Sequence, residues 1–92
     1  LANMDIDEVD AYVRHRTRVA GSARRLVSKR ASRAVHDETG GVPRLVNMLL
    51  ANALFVAAAR GESEVGEDTV RDLADDRRAS IEAAGGHGMG AT

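Results

Sequence analysis

The sequence predicts an all-α fold: a small four-helix bundle over residues 1–84, followed by a flexible glycine-rich tail at 85–92. Three observations carry this. Aromatic residues are confined to Tyr12 and Phe55, and apolar volume comes from Ala, Val and Leu. Strands are usually richer in aromatic and β-branched side chains. Apolar residues recur at helical spacing in four segments, each bounded by capping residues or glycine. At 92 residues the chain is one domain, near the lower limit for a core that stands by itself.

The first helix begins at Asp5, with Glu8 three residues on. This is a capping box with Asp in place of Ser or Thr. Ile6, Val9, Tyr12, Val13 and Arg16 follow at helical spacing, and Gly21 ends the segment. The second helix starts after Ser28 as N-cap. Leu26 and Val27 pack back over its start as a staple. Ala31, Ala34, Val35 and Thr39 face inward, and Gly40 stops the helix. The link at 21–25 reads as a loop or an extra turn.

The third helix runs from Pro43 to about Arg60, with Gly61 as its stop. Leu45, Val46, Leu49, Leu50, Ala53, Leu54, Val56 and Ala57 make it apolar around most of its circumference. Such a helix is expected in the middle of its domain. The fourth runs from about Glu67 to Arg78 or Ala84. Val70, Leu73 and Ala74 face the core, with Arg77 and Ile81 further along. Acids open this helix and Arg77 and Arg78 come late, which suits its dipole. From Gly85 no core-forming pattern remains.

Charge is unevenly spread. From Arg14 to Arg44 there are nine basic residues against Asp37 and Glu38. From Asn47 onward there are four basic and eight acidic. The asymmetry suggests an anionic partner for the first half. Arg14, Arg16 and Arg18 alternate, however, which spreads them around a helix, and no aromatic stacking partners accompany them. A solvated face is the plainer reading. Cysteine is absent, which removes disulfides and Cys-based zinc. No apolar run reaches the roughly 18 residues of a membrane span, and no signal peptide is visible. A soluble, cytoplasmic context is the expectation. The start at Leu1 suggests a fragment or a processed form.

No enzyme constellation is complete. The G-x-x-x-x-G-K-[ST] phosphate loop is absent from these residues. His15, His36 and His87 lack a metal-ligand spacing. A triad of His15, Asp10 and Ser22 has nothing to fix its geometry. Asp72, Asp75 and Asp76 read as a solvated helix face.

Gly40-Gly41-Val42-Pro43-Arg44 stands apart. Two glycines stop one helix, and proline opens the next. Arg44 follows in the first turn, where the helix dipole disfavours a cation by roughly 0.3–1 kcal/mol. A cation and a helix N-terminus aimed the same way form a site for an anion such as a phosphate. The alternative is an Arg44 bonded to the carbonyls that end the second helix. The residues alone leave both open.

Gly-Gly-Val-Pro-Arg-Leu-Val-Asn, at 40–47, resembles the sensor-2 motif in the helical lid of AAA+ ATPases. Glu8 to Arg16, with Tyr12, His15 and Arg16, and Val19-Ala20-Gly21 resemble the first lid helix of the general secretion pathway protein A type. The resemblance covers roughly Leu1 to Asp76. It implies a lid that closes over ATP, bound with magnesium by a separate α/β core. Arg44 would be the catalytic sensor-2 residue reaching the γ-phosphate. Gly41, Val42 and Pro43 would complete the nucleotide side, with Leu45 near the adenine. The implied partner is that α/β core, in a parent that can form a ring. The isolated chain would be a monomer without ATP or catalysis of its own. Thr17 departs from the leucine common after His-Arg, and Gly66 is a weaker cap than Ser or Thr. The alternative is a stand-alone interaction module binding nucleic acid or an acidic partner through its basic half.

Overall fold

The computed structural model describes residues 2–19 and 27–90, with side chains given for all of these except 19 and 82–90. Four helices follow in order: α1 (Ile6–Val19), α2 (Lys29–Thr39), α3 (Pro43–Ala59) and α4 (Glu67–Gly90). The all-α class holds, and no strand occurs among the described residues. An isolated parallel bridge joins Val27 to Val65, and the Ser28 N–H donates to the Val65 carbonyl at 3.1 Å. The turn before α4 is thereby tied to the start of α2.

The local signals act as expected. The Glu8 N–H donates to Asp5 Oδ1 at 2.8 Å, and the Asp5 N–H donates to Glu8 Oε1 at 2.9 Å. The capping box is therefore closed in both directions. Ser28 Oγ accepts from the Ala31 N–H at 3.0 Å. Gly40 ends α2 at φ 64°, and its N–H donates to the His36 carbonyl. Val27 is buried as the staple requires; Leu26, Gly21 and the link at 21–25 lie outside the described residues.

The centre of the bundle differs from expectation. α2 packs extensively against α1 and α4 and also against α3, whereas α3 packs on α2 and α4 and reaches α1 through Asn47. Its buried positions are Ala31, Ser32, Ala34, Val35 and Thr39. Small side chains let three neighbours approach one helix closely, so low hydropathy and a central position coexist. α3 buries Val46, Leu49, Leu50, Ala53 and Ala57 along one side. Its other side is open, with Met48 42% and Phe55 75% exposed. Apolar character all round permits burial but does not supply neighbours for every face.

Val9 and Val13 from α1, and Val70 and Ala74 from α4, complete the core. Thr17, which stands in place of the leucine common in the resembled family, is 3% exposed, and its hydroxyl donates to the Arg14 carbonyl at 3.0 Å. A hydroxyl satisfied within its own helix can be buried at low cost. Ile81 is 61% exposed, so the core face of α4 ends before it. The helix itself continues to Gly90, past the expected end at Arg78 or Ala84 and into the glycine-rich segment. No helix among the described residues is long and apolar enough to cross a membrane.

Candidate functional site

The double-glycine corner between α2 and α3 is closed by backbone. Thr39 Oγ1 donates to the Val35 carbonyl at 2.6 Å and accepts from the Gly41 N–H at 3.2 Å. The Val42 N–H donates to the Thr39 carbonyl at 3.2 Å. These bonds occupy the end of α2. Arg44 is not bonded to its carbonyls; among the described residues the exposed Arg44 has no hydrogen bond or ion pair.

Gly41 has φ 77° and is buried beneath the segment that precedes α1. The Met4 N–H donates to the Gly41 carbonyl at 2.7 Å. A Cβ at Gly41 would lie 1.9 Å from the Met4 carbonyl oxygen. The close backbone approach that glycine permits here is therefore made by the chain's own N-terminal arm. Gly40 also has positive φ, but a Cβ there would meet nothing within 4 Å. The two glycines thus have different duties: Gly40 turns the chain, and Gly41 turns it and admits Met4.

At the start of α3, Val42 occupies the N-cap without a side-chain cap, and Pro43 opens the first turn. The Val46 N–H already donates to the Val42 carbonyl. The first-turn N–H groups ahead of it have no acceptor within the helix. They and the Arg44 guanidinium form one positive end.

One turn further along α3, Asn47 ties the helix to α1. Tyr12 donates its hydroxyl proton to Asn47 Oδ1 at 2.8 Å. Arg16 donates through Nη1 to the Tyr12 oxygen at 2.9 Å and to Asn47 Oδ1. Its guanidinium lies 5.8 Å from the Tyr12 ring centroid, within cation–π range. Tyr12 and Arg16 from one stretch of the resemblance thus meet Asn47 from the other. Sequence reasoning did not assign Asn47 or Met4 a part. One of only two amides in a largely apolar helix, the other being Asn52, was the available signal for Asn47; nothing local marks Met4.

The remaining candidates do not converge. His15 is exposed, and Ser22 lies outside the described residues. Asp72, Asp75 and Asp76 are exposed along α4. No group of three potential metal ligands occurs among the described residues. Arg14, Lys29, Arg30 and Arg33 border an open cleft of about 610 Å³ between α1 and α2, but Asp7, Asp10 and Glu67 border it too. Arg14 pairs with Asp10 at 3.4 Å.

A second cluster of charge joins α2 to α4. Glu38 accepts from Arg71 at 3.0 Å and from Arg78 at 2.8 Å. Arg71 also pairs with Glu67 and Asp37, and Arg78 with Asp75. Glu67 foremost, then Glu38 and Asp37, hold Arg71 further above the usual arginine range. Glu38 and Asp75 do the same for Arg78.

No protein-family model and no solved structure matches the chain. Over 58 residues the sequence is 41% identical to general secretion pathway protein A of Aeromonas hydrophila. That match takes in 63% of this chain and 11% of the relative. The chain thus spans about a tenth of the relative's length and is similar to one part of a secretion-pathway protein.

Proposed function

We propose that this chain is the helical lid of an AAA+ ATPase of the general secretion pathway protein A type, with Arg44 as its phosphate-sensing residue. The observation that carries the reading is Arg44 itself: exposed, without a partner among the described residues, and beside the free N–H groups that open α3. The likeness to the Aeromonas secretion protein supports the branch.

In the intact parent an α/β core would hold ATP with magnesium and supply the phosphoryl group. Arg44 would reach the γ-phosphate from the lid side and stabilise the charge that spreads over its oxygens during transfer. Pro43 and the N-cap Val42 fix the first turn that carries it, and Gly41 sets the angle at which α3 leaves the corner. Loss of the γ-phosphate would release Arg44 and let the lid swing. The chain by itself carries no phosphate loop and would neither hydrolyse ATP nor hold it tightly.

The test is Arg44→Ala in the intact parent. ATP turnover is expected to fall by about 10²-fold, the scale of one lost transition-state donor. Turnover equal to wild type contradicts the role. The nucleic-acid reading keeps Arg14, Lys29, Arg30 and Arg33 in its favour, but the acids among them weaken the cleft as a phosphate track. Steeply salt-dependent DNA binding by this chain would favour it over the lid.

A further inference from the structure

Arg44, Met48, Ala51 and Phe55 recur at i, i+4, i+7 and i+11 and so lie on one face of α3. All four are exposed. The stripe runs about 16 Å and presents an aromatic ring to solvent. A large exposed apolar side chain beside others of its kind marks an interaction surface more often than chance placement does.

The order of residues along the stripe is self-complementary. If a second α3 is laid antiparallel against the first, Arg44 falls opposite the second copy's Phe55, and Met48 opposite its Ala51. The two-fold axis passes between them, so each contact is made twice, as an isologous interface requires. The chemistry matches in both pairs. A guanidinium stacks on an aromatic face, and the long flexible Met48 fills the space that a small Ala51 leaves.

Charge runs the same way. Arg44 is the one formal charge within Pro43–Ala59, so no like charges meet along the helix. The last turn of α3 has no basic residue, and the exposed acids Glu62 and Glu64 follow it. Arg60 falls on the far side of the helix from Arg44. Antiparallel packing therefore brings each Arg44 toward the negative end of the other helix.

We infer that the open face of α3 pairs with a second copy of this chain, antiparallel, through Arg44, Met48, Ala51 and Phe55. The proposal differs from the monomer expected of the isolated chain. It does not rest on the lid reading and competes with it for Arg44: a guanidinium stacked on the second copy's Phe55 is withdrawn from a γ-phosphate, so the pairing belongs to the chain without nucleotide. Its readout is mass, whereas the lid is tested by ATP turnover in a parent. The four-residue stripe makes a weak, concentration-dependent dimer at the small end of specific interfaces.

Sedimentation equilibrium of the 92-residue chain, from about 10 μM to about 1 mM, tests the inference. The expected result is a mass rising from monomer to dimer. Ala51→Glu places two carboxylates at the two-fold axis and should hold the chain at monomer mass. Ala51 is exposed, so the helical circular dichroism should remain as in wild type. The chain has no cysteine, which permits a register test. Met48→Cys mixed with Ala51→Cys should cross-link faster than either variant alone. Monomer mass throughout overturns the inference and leaves the stripe for another partner. A dimer that Ala51→Glu does not weaken, or cross-linking without preference for the mixed pair, overturns it as well.

Discussion

Glu38 and Thr39 are adjacent in the chain and serve two joints built on different physics. Thr39 belongs to the corner before α3, where Gly41, Met4 and Val42 are fixed by backbone hydrogen bonds and by the space a missing side chain leaves. Glu38 belongs to the seam between α2 and α4, where its mostly covered carboxylate accepts from the more exposed Arg71 and Arg78. Steric and backbone constraints act over tenths of an ångström. Solvated ion pairs act over several and tolerate rearrangement. Arg44, to which the proposed lid function gives a directional task, follows the corner on the exposed side of α3. The seam only has to keep two helices side by side.

The comparison predicts an order of effects. Gly41→Ala should cost most, because a methyl group there collides with the Met4 carbonyl and the positive φ is strained as well. Denaturant unfolding should show a loss above the roughly 1–2 kcal/mol that left-handed backbone alone costs a non-glycine residue. Gly40→Ala has the same kind of φ but open space around it, so its loss should stay within that range. Equal losses for the two would remove Met4 from the explanation.

Tyr12→Phe deletes the hydroxyl that bonds Asn47 and accepts from Arg16. A loss of about 1 kcal/mol is expected, the usual net value of such a bond, and 1 M salt should change it little. Glu38→Gln should have the smallest effect, and salt should shrink it further. A Glu38→Gln loss that exceeds that of Gly41→Ala would invert the comparison.

The pH dependence follows from sign. Arg71 and Arg78 have folded-state values raised by Glu67, Glu38 and their neighbours. A raised value stabilises the fold at every pH below the unfolded-state value and is lost only as pH climbs through the folded one. These arginines therefore contribute no stability change between pH 6 and 9, and an unfolding midpoint series over that range checks it.

What the sequence made legible was local. The Asp5–Glu8 box, the Ser28 cap and the Gly40 stop are each settled within four residues, and each forms as read. The Gly-Gly-Val-Pro-Arg corner was legible as a turn for the same reason. What failed was pairing at a distance. The apolar α3 looked central, yet the small-residue α2 is, because centrality depends on how closely neighbours can approach. Met4 over Gly41 and Val27 beside Val65 join segments far apart in the chain, and no local pattern announces them. The α4 backbone beyond Ala84 is helical, and its flexibility is a separate property. Amide exchange at 85–90 should be fast, as expected of a helix end rich in glycine.

Under the proposed lid function, the corner between α2 and α3 exists to aim Arg44. The most direct measurement is ATP turnover by the parent ATPase proposed above carrying Gly41→Ala, beside the same protein carrying Arg44→Ala or Glu38→Gln. The account predicts that Gly41→Ala falls toward the Arg44→Ala level while Glu38→Gln stays near wild type. A Gly41→Ala parent that turns over ATP like wild type, with Arg44→Ala inactive, would contradict it.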